Sequence, residues 1–170
     1  MRNQPRIDQT DARLLLALAE QPRATAIALS RATGLSRNTV QARLAKLEQQ
    51  GALDSPERQV PPAMLGYPLT AYITTQVTQR QLDEVAAALA GIPEVLQVDG
   101  VSGGIDLLVH VVATDTDDLY RIAGQVLAIP GVERTSTALV MRELVSYRLT
   151  PLLRRRAQPQ PERQYPSRPG

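Results

Sequence analysis

The segment from Gly34 to Ser36 separates two helical patterns, and it constrains the fold of the first third of the chain more than any other feature. Gly34 suits the left-handed conformation that ends a helix, and Ser36 is a favoured N-cap for the next helix. Apolar spacing predicts a preceding helix over residues 7–20, a short one over 25–33 and a third over 37–50. Three helices with this turn predict a helix-turn-helix.

The third predicted helix presents polar side chains on its outward face. Arginine can pair with guanine and Asn or Gln with adenine in the major groove, whereas Lys and Thr suit phosphates. We therefore expect double-stranded DNA to be contacted by Thr25, Ser36, Arg37, Asn38, Thr39, Gln41, Arg43 and Lys46. A solvated helix face is the alternative explanation of the same pattern.

The charges are distributed unevenly along the 170 residues. Residues 1–60 hold nine Lys and Arg against six Asp and Glu (+3), residues 61–150 hold five against ten (−5), and residues 151–170 hold five against one (+4). A basic front end followed by an acidic middle favours a polyanionic partner for the front.

Composition excludes several classes of site and partner. The chain has no cysteine, so it has neither disulfides nor thiolate metal sites. No metal cluster or cofactor motif is evident, and no run approaches the ~20 apolar residues that span a bilayer. We expect a cytoplasmic protein with no metal, no cofactor and no membrane partner.

The predicted domain organisation follows from turns and changes of period. A two-stranded wing is expected after Gly51, which completes a winged helix-turn-helix domain over residues 1–60, and a Pro- and Gly-containing linker covers 61–68. Residues 69–150 then read strand-helix-strand twice, which predicts a ferredoxin-like βαββαβ domain whose last strand runs from Val132 to Val145. The fold class is α+β.

One face of the predicted sheet is expected to be apolar, with Leu96, Val98, Leu108, Val112 and Val140 on it. Such a patch on a monomer predicts a covering subunit, and hence a homodimer formed through the sheets. The Arg- and Pro-rich tail over residues 151–170 is predicted to be disordered. It would either add phosphate contacts or serve only as a solubilising appendage.

With these patterns in place, the chain resembles the Lrp/AsnC family of leucine-responsive and asparagine-type regulators. The resemblance is carried, in the family's order and spacing, by Leu29-x-Arg31-x-x-Gly34-Leu35-Ser36-x-x-x-Val40-x-x-Arg43-Leu44-x-x-Leu47-Glu48-x-x-Gly51, by Gly103-Gly104-Ile105-Asp106-Leu107-Leu108 and by Leu127-Ala128-Ile129-Pro130-Gly131-Val132. It implies a DNA-binding transcriptional regulator that forms dimers and then tetramers or octamers.

The resemblance also implies a small effector, commonly an amino acid. The family's effector loop maps to Gly103, Gly104, Ile105 and Asp106, with Thr135 and Thr137 expected nearby. Glycine amides can approach a carboxylate, and Asp106 can accept from an ammonium group. The family usually has Gly-Asp-Tyr-Asp at this loop, so an acid and an aromatic ring are missing here, and a purely structural hairpin turn is the alternative.

Two other functions compete with an effector-modulated regulator. An architectural DNA binder without an effector would suit the altered loop and the Arg-rich tail. A related branch of this architecture decarboxylates sirohaem-type tetrapyrroles, but that chemistry needs basic residues and usually histidine. The chain has one histidine, His110, inside an apolar strand where a half-buried, hydrogen-bonded side chain is expected. We therefore expect no enzymatic activity.

Overall fold

The computed structural model describes residues 7–53 and 60–158. The chain divides into two compact units, one formed by residues 1–55 with 146–170 and the other by residues 56–145. The predicted wing covers residues 52–60, of which 54–59 lie outside the described residues, as does the tail from residue 159 onward. Each unit is described by itself.

The first unit is helical throughout its described elements. It contains α1 (Gln9–Glu20), α2 (Ala26–Thr33), α3 (Arg37–Gln49) and α6 (Thr150–Ala157). Leu14, Leu29, Val40 and Leu47 are almost fully buried and form its apolar core. The turn between α2 and α3 is as expected, because Gly34 takes the left-handed conformation with φ 73°. The predicted helix-turn-helix is therefore present.

Helix α6 corrects the expectation of a disordered tail that begins at residue 151. Residues 150–157 are helical and pack against α1. Arg156 Nε donates to the Ile7 carbonyl at 2.9 Å, and Gln9 Nε2 donates to the Ala157 carbonyl at 2.8 Å. Helices this short are marginal in isolation. These contacts with α1, about 150 positions away in sequence, stabilise a helix that the local sequence pattern does not predict.

The second unit is a four-stranded antiparallel sheet with two helices on one face. In chain order its elements are β1 (Leu69–Val77), α4 (Leu82–Ala90), β2 (Val95–Gly100), β3 (Leu107–Ala113), α5 (Thr116–Leu127) and β4 (Val132–Leu139). The strand order β2-β3-β1-β4 is that of the ferredoxin-like arrangement. The predicted α+β fold class is confirmed.

Alternation along the strands decides which side chains meet the helices. In β1, Ala71 and Ile73 are buried whereas Tyr72 between them is exposed. The core under α4 and α5 includes Val85 and Ile122, both fully buried. A helix pair thus covers one face of the sheet and leaves the other face open.

Two expectations about the strands were wrong. Val98 is paired with Val109 and packs against the helix-side core, so it does not belong to the open face. A register irregularity between Val95 and Gln97 shifts the alternation that local sequence suggested. Strand β4 ends at Leu139 rather than at residue 145, because its pairing partner β1 begins at Leu69. The Val140 N–H still donates to the Thr70 carbonyl.

Gly131 closes the turn between α5 and β4 at close quarters. Its φ is 95°, and a Cβ at this position would lie 2.9 Å from Gln81 Cβ and 3.1 Å from Val85 Cγ2. The Gly131 carbonyl also accepts from the Thr78 N–H at 2.9 Å. The turn therefore needs glycine for both its conformation and its space.

Candidate nucleic-acid interface and small-molecule site

The outward face of α3 carries exposed polar side chains on its first two turns. Arg37, Asn38 and Gln41 are exposed, while Val40 between them is fully buried and holds the helix on the core. Ala42 is also exposed on this face. Its small side chain allows the helix axis to approach a surface closely, and its methyl group can contact a thymine methyl.

Three of the expected contact residues position the helices themselves. Thr25 caps α2, because its Oγ1 accepts from the Ala28 N–H at 3.2 Å. Ser36 caps α3, because its Oγ accepts from the Thr39 N–H at 3.2 Å and lies 2.8 Å from Thr39 Oγ1. The N-termini of both helices are therefore well defined, and a helix N-terminus favours an anion such as phosphate.

Arg43 differs from the other predicted contact residues, because its guanidinium is held by α1. Its Nη1 lies 2.7 Å from Asp8 Oδ2 and 2.6 Å from Asp11 Oδ1. Lys46 Nζ lies 3.4 Å from the other oxygen of Asp11, which is fully buried. The structure thus places Arg43 in an ion-pair network between α1 and α3, a role that the outward-face pattern of α3 did not indicate.

The ion pairs are reflected in the acid-base properties of the groups. Burial opposes ionisation of Asp8, but hydrogen bonds from Arg43 and from the Asp11 N–H hold its pKa below the ordinary 3.8. Hydrogen bonds to Asp8 and then Asp11 raise the pKa of Arg43 above its ordinary value. Asp8 and Arg43 are therefore both charged at neutral pH.

An open groove of about 550 Å³ runs beside this network on the surface of α3. Its lining combines the network with part of the polar face: Asp8, Asn38, Thr39, Ala42, Arg43 and Lys46. Asn38 and Lys46 are exposed at this groove, whereas Arg43 is about one quarter exposed (27%). The structure therefore brings Asn38, Thr39 and Lys46 together on one surface.

The second unit has a depression of about 190 Å³ next to the loop between β2 and β3. It contains three of the six residues expected to bind an effector, namely Gly104, Ile105 and Thr135. The remaining lining comes from neighbouring strands: Thr74, Gln76, Arg134 and Ser136. Gln76 Nε2 donates to the Gly104 carbonyl at 2.7 Å and so ties the loop to β1.

The other three expected residues are placed differently. Both oxygens of Asp106 are engaged by the protein, since Oδ2 accepts from the Val77 N–H at 2.9 Å and Oδ1 from Gln79 Nε2 at 2.6 Å. Thr137 pairs with Ile73, which puts it on the helix side of β4. Gly103, with φ 132°, forms the turn and is not among the lining residues.

Arg134 is the charged residue among the lining residues that the sequence did not indicate. It is exposed, it pairs with Gln76 across the strands, and it gives the depression a cation. Because Arg134 directly precedes Thr135, which was expected to lie near the effector, its place in the sequence could have indicated it. The strand register that brings it beside Gln76 and Gly104 could not be read from the local pattern.

His110 lies on the open face of the sheet. Its ring stacks on Tyr72, with ring centroids 4.9 Å apart and an interplanar angle of 19°. Burial lowers the pKa of this imidazole below 6.5. Among the described residues, no cluster of His, Cys, Asp and Glu is arranged to hold a metal ion. Within the same stretches, no helix is long and apolar enough to cross a membrane.

Both units match known families of domains. The AsnC-type helix-turn-helix domain matches residues 7–48, and the Lrp/AsnC ligand binding domain matches residues 70–150. The HTH-type transcriptional regulator FL11 of Pyrococcus horikoshii is 29% identical over 136 residues, which cover 80% of this chain and 90% of that protein.

Two further comparisons extend over nearly the whole length of the related proteins. The proline dehydrogenase transcriptional activator of Rhodobacter capsulatus is 32% identical over 143 residues, or 82% of this chain and 93% of the relative. The crystal structure of transcriptional regulator NMB0573 of Neisseria meningitidis with L-Met superposes with a TM-score of 0.74 at 25% identity, covering 86% of this chain and 99% of that one. The chain belongs to the Lrp/AsnC family and is a DNA-binding transcriptional regulator of the AsnC type.

Proposed function

We propose that the first two turns of α3 enter the major groove and read base edges through Arg37, Asn38 and Gln41. The observation that carries this proposal is the exposure of all three side chains around a helix fixed by the buried Val40. Thr25, Ser36, Thr39 and Lys46 would contact phosphates at the helix N-termini and along the groove. Arg43 would act by fixing α3 on α1.

Footprinting on the region upstream of the protein's own gene tests this assignment. Arg37→Ala should lower affinity for the protected site by about 1–3 kcal/mol and relax specificity at one position, as expected for loss of a base-edge contact. Arg80→Ala, which removes an exposed arginine from the other unit, is the matched control. An unchanged footprint and affinity in Arg37→Ala would refute the assignment.

We further propose that the depression beside the β2–β3 loop binds a small carboxylate, of which an amino acid is the natural class. Arg134 can pair with the carboxylate, and Gly104 exposes backbone close to it. The relative from N. meningitidis was crystallised with L-Met, an amino acid. Because both oxygens of Asp106 are already engaged, its proposed contact with an ammonium group would require it to share an oxygen.

Isothermal titration against a panel of amino acids tests the effector. Binding that weakens at least tenfold in Arg134→Gln and is unchanged in Arg80→Gln would support the proposed site. If no compound binds, the proposal of an effector site fails. The protein would then be better explained as an architectural DNA binder without an effector. The relatives are named transcriptional regulators, which supports a regulatory rather than a catalytic role and a place in the cytoplasm with the DNA.

A homodimer formed through the open sheet faces, with further assembly to tetramers or octamers, is the proposed quaternary state. Tyr72 and Ala138 are paired on that face and are both exposed, as is Val140 beyond them. Light scattering should show that Ala138→Arg shifts the protein towards monomer, while Ala87→Arg on the exposed side of α4 leaves the mass unchanged. A monomeric wild type would contradict the proposal.

A further inference from the structure

Helix α6 begins at Thr150, where the region shared with the ligand binding domain family ends, and its other residues lie beyond that region. It nevertheless belongs to the same compact unit as the helix-turn-helix. Its sequence places three arginines, Arg154, Arg155 and Arg156, in the last turn. The family match does not cover these three arginines and so assigns them no role.

The contacts of α6 divide the three arginines into two classes. Arg156 is engaged with α1, because its Nε donates to the Ile7 carbonyl. Leu153 and Ala157 are half-buried and form the side of α6 that faces the unit. Arg154 and Arg155 are exposed, and the structure gives neither guanidinium a hydrogen bond or ion pair within residues 7–53 and 60–158.

The anchoring of α6 also places its C-terminal end against the start of α1, which itself contacts α3. The two residues that hold it, Ile7 and Gln9, flank Asp8, and Asp8 is bound to Arg43 of α3 at 2.7 Å. The exposed arginines are therefore carried on a helix whose docking point on α1 is one residue away from an α3 contact. Two guanidinium groups on a docked helix are a fixed positive surface, and guanidinium matches the geometry of a phosphate.

We propose that Arg154 and Arg155 form an accessory contact to the phosphate backbone of DNA bound at α3. The contact is independent of base sequence and adds affinity rather than specificity. DNA is the favoured polyanion because α6 is packed on the helix-turn-helix unit itself. This inference rests on the proposed binding of DNA by α3.

The salt dependence of binding by the full-length chain tests the proposal. Anisotropy titrations would use a duplex carrying the protected site and a random duplex of equal length. Each phosphate contact contributes about 0.9 to the slope of log affinity against log salt. The slope should therefore fall by about 1.8 in the double variant Arg154→Gln/Arg155→Gln. Affinity for both duplexes should fall by the same factor.

Two further variants keep the result interpretable. Arg80→Gln/Arg142→Gln removes two exposed arginines from the other unit and should leave the slope unchanged. Arg154→Lys/Arg155→Lys keeps the charges and should retain nearly the wild-type slope. Loss of affinity in both the Gln and the Lys variants would overturn the phosphate contact, because it would indicate a structural role of the side chains.

Failure of the accessory contact can be told apart from failure of DNA recognition by α3. A wild type that prefers the specific duplex, with an unchanged slope in Arg154→Gln/Arg155→Gln, overturns the accessory contact alone. A loss confined to the specific duplex overturns it as well, because phosphate contacts act on any sequence. A wild type that binds neither duplex overturns both proposals.

Discussion

Asp11 is a fully buried carboxylate whose charge partners both come from α3. The same carboxylate also completes the start of its own helix, since its Oδ2 accepts from the Asp8 N–H while Asp8 accepts from the Asp11 N–H. One side chain thus fixes the first turn of α1 and the position of α3. At the scale of a residue, the position of α3 depends on its ion pairs with α1.

Replacing Arg43 should therefore cost stability rather than base specificity. Arg43→Ala leaves the buried Asp11 with Lys46 as its one remaining cationic partner among the described residues, and we expect a loss of about 1–3 kcal/mol in unfolding free energy. Lys46→Ala is the control and should cost less, because its 3.4 Å contact is longer and its side chain is 46% exposed. Urea unfolding measures both. A variant of unchanged stability with altered base preference would contradict this account.

Thr75 provides a second prediction at the residue scale. It is fully buried in β1, and its hydroxyl is a buried side-chain polar atom that finds no hydrogen-bond partner in the described part of the chain. Thr75→Val removes this group at nearly constant volume and should raise the unfolding free energy by about 1 kcal/mol. Thr74→Val, on the open face, should give no such gain. A destabilised Thr75→Val protein would indicate a partner for the hydroxyl.

At the scale of elements, the two halves of the second unit use related turns with different demands. Ile92-Pro93-Glu94-Val95 precedes β2, and Ile129-Pro130-Gly131-Val132 precedes β4. In the first turn Glu94 pairs with Arg121 of α5. In the second turn the corresponding position faces Gln81 and Val85 too closely for any Cβ. The same local motif is therefore held by a charge in one half and by close packing in the other.

Gly131→Ala should destabilise the second unit by about 1–3 kcal/mol, because the residue has a positive φ and its new Cβ would meet Gln81 at 2.9 Å. Gly124→Ala is the matched control. It lies within α5, a Cβ there meets nothing within 4 Å, and it should gain about 0.5–1 kcal/mol from helix propensity. Thermal unfolding distinguishes the two signs. Equal midpoints for the two variants would contradict the packing account.

At the scale of the whole molecule, the single histidine links pH to the stability of the sheet. Burial lowers the folded-state pKa of His110 below 6.5, so the unfolded chain binds the proton more readily. The contribution of His110 to the free energy of unfolding is therefore fully present above about pH 6.5, and it decreases as the pH drops below that value. Asp8, whose pKa lies below 3.8, changes charge only in a more acid range.

We expect the unfolding temperature to decrease when the pH is lowered from 7.5 to 5.5, an interval that spans the ordinary His110 value of 6.5. The proposed homodimer should also dissociate more readily at the lower pH. His110→Gln should remove most of this dependence, since the chain holds no other histidine. Calorimetry and light scattering at both pH values measure the two effects. The same pH dependence in His110→Gln would assign it to other groups.

Much of the fold and part of the two sites followed from local patterns. The Gly34 turn, the caps at Thr25 and Ser36, and the order of strands and helices depend on residues within a few positions of one another, so their signals are complete in the sequence. Arg37, Asn38 and Gln41 were assigned to an exposed face for the same reason, because helical periodicity alone separates them from Val40.

The tertiary structure decided what depends on contacts between distant residues. Arg43 meets Asp8 across 35 positions, Asp106 turns towards Val77 across 29, and α6 docks beside Gln9 across 148. In each case the residue type allowed several partners. The partner it contacts is decided by the element that packs next to it. The sequence by itself thus determined the order of helices and strands, the helix-turn-helix and its exposed polar face. Only packing determined which charged side chains stay exposed and which form ion pairs within the protein.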